Sequence, residues 1–357
     1  MGIIRLLLAL AVLAQHSTPI LGFHFLTGAE AVEIFFIISG FYMSLILRGK
    51  YGQREHSVRL FYQNRFLRLY PTYLICVLLT WGLFFGEYAL MHKVPTNSWL
   101  EPYRAMGWWK VPFALSNLTM VGLDVPAWLH YSPAHGFTWL ASPVLGNLAD
   151  GSASCFAFIT VSQAWSVGSE IWFYLMAPWL ARRCWFLLLA PLAISLLIKY
   201  HLEHAWHYGT YFFFPAQCCF FLVGMLLHRF YERFQSSLLL PKCGWFGWIM
   251  IMIGILSLGW TAGSFMKYLF YTTFGLSLPA IFALSRRWTL DRHIGNLSYS
   301  VYLLHWIVID ALRTGLKINS GTISAILTMA GAILIYWLVE RPIDAYRQRQ
   351  VRSAAKA

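Results

Sequence analysis

Charge is what this sequence has least of. Asp, Glu, Lys and Arg make up 11% of its 357 residues, while 59% are apolar. A soluble domain carries about 25% charged residues, and less than half that number cannot cover a water-facing surface. Acidic residues are the scarcer sign, 14 against 27 Lys and Arg, for a net charge of +13. In a soluble chain that imbalance points to nucleic acid. Here the basic residues sit in short loops between apolar runs, with no basic-aromatic motif, so the reading is membrane topology and no nucleic-acid partner. Cysteine is sparse as well. Cys76, Cys155, Cys184, Cys218, Cys219 and Cys243 form no CxxC pair and mostly fall in apolar stretches, so they read as packing residues, with little support for a disulfide framework or a zinc site. There is no low-complexity linker and no obvious internal repeat.

What the chain has is long apolar runs. Ten segments have the length and composition of spanning helices, roughly 3–21, 31–48, 71–91, 169–181 (extended upstream), 183–200, 210–228, 245–263, 266–285, 294–312 and 321–340. The expected fold is an all-α, polytopic transmembrane bundle of about ten helices. Residues 1–345 form one domain and 346–357 a basic cytoplasmic tail. The longest non-spanning stretch, about 92–168, is rich in proline and tryptophan and reads as an interfacial loop, with a re-entrant or short helical piece near Val111–Val121. With the N-terminus in the cytosol, 20 of the 27 Lys and Arg fall on the cytosolic side, six of them (Arg48, Lys50, Arg54, Arg59, Arg65 and Arg68) between the second and third segments. That is the bias the positive-inside rule demands, and it places both termini in the cytosol. Arg5 followed by Leu6–Ala14 also fits a signal peptide cut after Ala14, but apolar character resumes at Pro19–Phe25.

Ionisable groups inside spanning segments are functional hypotheses by default. Arg5 and His16 lie 11 residues apart, within about 20° of the same helix face and roughly 16 Å apart along the axis. A lone intramembrane histidine is as often a hydrogen-bonded packing residue as a catalytic one. Three other groups shift that balance. Glu33 near the start of the second segment, Glu170 at the start of the fourth and His305 in the outer half of the ninth all come to about the depth of His16. A carboxylate beside a histidine fixes its tautomer and raises its basicity, which suits a general base or an acyl-accepting nucleophile. Either glutamate can fill that role or serve as a structural group. On the cytosolic side, Arg65 and Arg68 at i, i+3 face the same way. Two guanidinium forks at that spacing suit phosphate oxygens, and lipid anchoring is the plainer alternative.

Five stretches resemble the acyltransferase 3 family, the membrane-bound acyltransferases of bacterial surface sugars. They are Arg5 with His16; Gly28–Phe36 continuing to Ser39-Gly40-Phe41; Arg65-Phe66-Leu67-Arg68-Leu69-Tyr70-Pro71; Trp165-Ser166-Val167-Gly168-Ser169-Glu170; and Leu297–His305 with Glu340-Arg341-Pro342. The resemblance implies ten helices and transfer of an acyl group, usually acetyl, from acetyl-CoA or another acyl-CoA to a sugar hydroxyl, with no tightly bound cofactor. By that likeness His16 is the catalytic histidine, and Arg5, Arg65 and Arg68 hold the donor. Ala31 stands where glycine is usual, Glu33 where aspartate is commoner, and Asn64 where an arginine often precedes the pair; the last weakens the donor assignment. The chain ends soon after the tenth segment, so the expected acceptor, a carbohydrate or glycolipid, is engaged by the bundle and its long loop. Succinyl or longer donors and other acceptors fit the same residues. A transporter is the rival from another class, disfavoured by the missing inverted repeat and by an arginine pair lying away from the midplane.

Overall fold

A computed structural model of the chain describes residues 1–49, 57–91, 106–132, 134–140, 143, 152–205, 210–237, 239–257 and 263–356. Its helices are α1 (Gly2–His16), α2 (Gly28–Gly49), α3 (Ser57–Met91), α4 (Lys110–Thr119), α5 (Trp165–Arg182), α6 (Leu189–Ala205), α7 (Phe214–Phe234), α8 (Leu239–Ser257), α9 (Ser264–Ser285), α10 (Thr289–Thr314), α11 (Gly321–Ile335) and α12 (Arg341–Lys356). Each of the ten predicted apolar segments coincides largely with helix. Among the described residues, six helical stretches can cross a membrane by length and composition: Gly28–Gly49, Val58–Ala89, Trp185–His204, Leu239–Ser257, Phe265–Ser285 and Gly321–Val351; α1 is a shorter apolar helix. Helices α5, α7 and α10 fall short because polar and charged residues dilute them. The outward faces are apolar: Phe246, Leu276, Ile326 and Leu334 are all exposed. Water does not tolerate such a surface over a whole protein, whereas acyl chains match it. The protein is a multi-pass, all-α membrane protein.

Three boundaries differ from expectation. Helix α3 begins well before the predicted start at residue 71, so Pro71 lies inside it and the Arg65–Arg68 pair sits on the same continuous helix. Helix α8 already covers Leu239–Gly244, ahead of the predicted start at residue 245, and residues 258–262 of that segment lie outside the described residues. Segment 321–340 runs on past its predicted end, because a π-helical turn, Tyr336–Glu340, joins α11 to α12 in one helical stretch. The long loop carries the expected short helix, α4, and also an unexpected three-stranded antiparallel sheet of β1 (Leu129–Ser132), β2 (Gly136–Trp139) and β3 (Ala153–Ser154), ordered β2-β1-β3. Alternation is hard to read in strands this short. Residues 92–105 and 144–151 of that loop lie outside the described residues.

The chain divides into two compact units, one of Met1–Cys76, Ala181–Trp185 and Phe220–Ala357, the other of Val77–Leu180 and Phe186–Cys219. In the first, α1 is buried along its length, with Leu8, Ala9, Ala11, Leu13 and Ala14 wholly inaccessible. It runs parallel to α10, and two glycines bring the backbones together: a Cβ on Gly2 would lie 1.6 Å from the Asp291 carbonyl oxygen, and one on Gly295 2.6 Å from the Gly2 Cα. Small residues at helix crossings serve this close approach in membranes. Asp291 then accepts from the backbone N–H groups of Gly2 (2.7 Å) and Ile3 (2.9 Å), satisfying donors that the first turn of α1 leaves open. Parallel packing in this register carries His16, at the other end of α1, to the level of His305. Helices α2 and α7 pack closely in the same way, Gly40 against the Phe221 carbonyl and Gly224 against the Ile37 carbonyl.

The second unit has its own small core of Met106, Phe113, Tyr131, Cys155 and Phe158. Asn117 ties α4 to the segment after β3, donating to the Phe158 carbonyl (2.8 Å) and accepting from the Thr160 N–H (2.7 Å). Trp108, Trp109, Val111, Leu115 and Leu118 are exposed around α4, the composition of a helix lying at a membrane interface.

Candidate active site

His16 closes α1, and its ring meets two successive side chains of α10. The His305 imidazole stacks on it, with centroids 5.4 Å apart and an interplanar angle of 21°, and the Trp306 indole meets it edge-on at 4.9 Å. Arg313, two turns further along α10, donates to the His16 carbonyl (2.8 Å), one of the acceptors that the end of α1 leaves open. His305 is completely buried, and its Nδ1 donates to the Tyr302 carbonyl (2.6 Å). Two imidazoles and an indole are thus gathered at one end of the first unit.

The carboxylates have phenol partners. Glu33, on α2 in the same unit, accepts from the Tyr271 hydroxyl on α9. One turn before it, Glu30 is buried and paired with Lys267 (2.5 Å). Glu170 belongs to the second unit and accepts from Tyr174 on its own helix. The ring neighbours of His16 among the described residues come from α10: His305, which depth along the helices had put at this level together with Glu33 and Glu170, and Trp306. Two features of this site were hidden in the sequence. Arg313 reads there as a topology charge, and Trp306 as one aromatic among many; only its place beside His305 in a polar helix marks it.

The opposite end of the first unit is cationic. Arg5, Arg68 and Arg292, with Asp291, lie within electrostatic reach of the half-buried Tyr42, so α1, α3 and α10 bring guanidinium groups to one place. Arg65 and Arg68 lie at i, i+3 on α3 as expected, both half-buried, with Arg65 over the Phe61 ring at 5.8 Å. Asn64 has a guanidinium after all. It accepts from Nε of Arg347 on α12 (3.2 Å), which also pairs with Asp344 (3.0 Å). The π-helical turn aims Glu340 at two helices, where it accepts from Thr72 of α3 (2.9 Å) and Ser300 of α10 (2.5 Å). Such turns often mark functional positions; this one links the arginine helix to the helix that carries His305.

In the second unit Asp124 is buried and accepts from the Trp172 indole N–H (3.1 Å). Burial pushes its carboxyl up from 3.8 to about 6, against the pull of the Trp172 bond and a bond from its own backbone N–H. The folded state therefore binds this proton more tightly than the unfolded state, and the stability that proton supplies is lost as pH rises from about 4 to about 6. The displacement is worth about 3 kcal/mol at most. Asp124→Asn keeps an acceptor for Trp172 without a charge. Thermal unfolding of the detergent-solubilised protein should show the variant melting near wild type at pH 4 and above it at pH 7; equal melting at both would show that Asp124 carries no such load.

Among the described residues no group of three or more His, Cys, Asp and Glu is placed to hold a metal ion. No curated protein and no solved structure matches the chain. The family model of an acyltransferase domain, that of the acyltransferase 3 family, matches residues 1–341. That span holds both compact units up to the π-helical turn, and it includes the His16 pair and the arginine cluster. A half-buried imidazole stacked on a buried one in a lipid-embedded bundle is suited to passing an acyl group and a proton, and with that match the chain belongs to the acyltransferase 3 family and is a membrane-bound acyltransferase.

Proposed function

We propose that the protein moves an acyl group, acetyl above all, from a cytosolic acyl-CoA to a hydroxyl of an extracytoplasmic or lipid-linked carbohydrate, in a bacterial inner membrane with both termini cytoplasmic. The observation that carries this reading is the run of α1 between two chemically different ends. Arg5 sits among the arginines at one end and His16 among the imidazoles at the other, roughly 16 Å away, about half of a ~30 Å hydrocarbon core. Arg5, Arg65 and Arg68 hold the anionic nucleotide end of the donor. Its thioester arm reaches inward to His16, which takes the hydroxyl proton or the acyl group itself. Glu33, in the same unit, orients His16 and stabilises its charged form; Glu170 is the alternative carboxylate for that role. The bundle keeps water from the thioester, and the aromatic loop of the second unit offers stacking surface to a sugar.

The test is sidedness. In sealed right-side-out vesicles, acetyl-CoA supplied inside should acylate glycan presented outside while no free coenzyme A crosses, and acetyl-CoA added only outside should be far less effective. Equal activity from either side would overturn the two-sided arrangement. Mass spectrometry of surface glycans with and without the gene would identify the group transferred, a succinyl or longer chain replacing the acetyl assignment if found.

A further inference from the structure

His305 has one nitrogen too many for a packing residue. A carbonyl can only accept, so the 2.6 Å contact with Tyr302 fixes the proton on Nδ1 and leaves Nε2 with a bare lone pair. That Nε2 is buried and has no hydrogen-bond partner among the described residues. A packing role would be filled better by a side chain with only the donor. An orphaned buried acceptor calls for a specific explanation, and this one belongs to a ring stacked on His16.

The geometry points to His305 as a second catalytic group, the base for the acceptor hydroxyl, with His16 carrying the acyl group. This rests on the acyl-transfer reading above and divides its two chemical roles. In the first half, the unprotonated nitrogen of His16 attacks the thioester carbonyl. A C–N bond forms and the C–S bond breaks; the sulfur leaves with the electron pair and is protonated by the proton lost from the other His16 nitrogen. In the second half, the acceptor O–H gives its proton to Nε2 of His305 while its oxygen attacks the acyl carbon. The ester C–O bond forms, the C–N bond breaks with its pair returning to His16, and His305 passes the proton back to the His16 ring. The products are one ester and one thiol, with both histidines restored. The Tyr302 carbonyl holds the His305 tautomer throughout, and the stacked rings keep the proton's origin and destination side by side.

The test uses the full chain in lipid vesicles with acyl-labelled acetyl-CoA, first without acceptor and then with deacylated surface glycan. Wild type and His305→Asn should each release about one thiol per protein and retain label, and His16→Ala should do neither. Glycan should discharge the wild-type label at least about 100-fold faster than the His305→Asn label, the usual lower bound for losing a general base. Hydroxylamine, which needs no base, should discharge both alike. His305→Gln, whose amide can still donate to Tyr302, replaces the asparagine variant if that variant loses its thermal stability. Glycan transfer by the variant within a few-fold of wild type overturns the proposal, as does failure of a stably folded variant to load the label. Wild-type transfer without any label held on the protein overturns the division of roles alone, whereas wild type that neither releases thiol nor acylates glycan overturns the acyl-transfer reading with it.

Discussion

His16→Ala is expected to lower acyl transfer by about 100- to 10,000-fold while the protein still inserts and folds. The expectation rests on what the side chain does and does not hold. His16 is the last residue of α1, and its backbone carbonyl, kept by any substitution, is what Arg313 grips. The ring contributes stacking to His305 and an edge contact to Trp306, worth about 0.5–1.5 kcal/mol per aromatic pair, too little to unfold a bundle whose α1 is buried through Leu8, Leu13 and Ala14. Removing a general base or nucleophile, in contrast, costs about 10²–10⁴ in rate. Acylated glycan measured in cells with matched membrane levels of protein checks this. Wild-type acylation in the alanine strain would remove His16 from the chemistry.

The second large effect is expected at the arginines. Arg68→Ala should raise the KM for acyl-CoA by about 10- to 100-fold, from the loss of one charged hydrogen-bonding group worth about 1.5–3 kcal/mol, with a smaller change in kcat. Arg68→Lys should recover little, since an ammonium lacks the bidentate fork. Arg65→Ala should behave similarly. Coenzyme A binding to purified Arg65→Ala/Arg68→Ala protein at unchanged affinity would refute the donor assignment. Arg347→Ala is a useful contrast. It removes the guanidinium that meets Asn64 without touching the pair, so loss of stability with donor affinity retained would mark the α12 contact as structural.

The sequence by itself determined that this is a membrane protein made of helices, because hydropathy and charge act locally: a run of apolar residues must satisfy its backbone bonds within itself in lipid, and only a helix does so along a single segment. It also picked out His16, Arg5 and the Arg65–Arg68 pair, since an ionisable group in an apolar run is conspicuous without any fold. It did not fix where helices begin. The Pro71 that looks like a helix start is interior to α3, and the π-helical turn that aims Glu340 leaves no composition signal. Nor did it fix partnership. Depth along a helix put Glu33, Glu170 and His305 at the level of His16 equally well, but which of them meets its ring depends on helix rotation and neighbour order. Those were decided by the fit of Gly2 against Asp291 and Gly295, which sets the register of α1 on α10 and stacks His305 on His16. Only the tertiary structure decides such pairings, because the close contact of two glycines brings together residues nearly three hundred positions apart, and no local pattern encodes that distance.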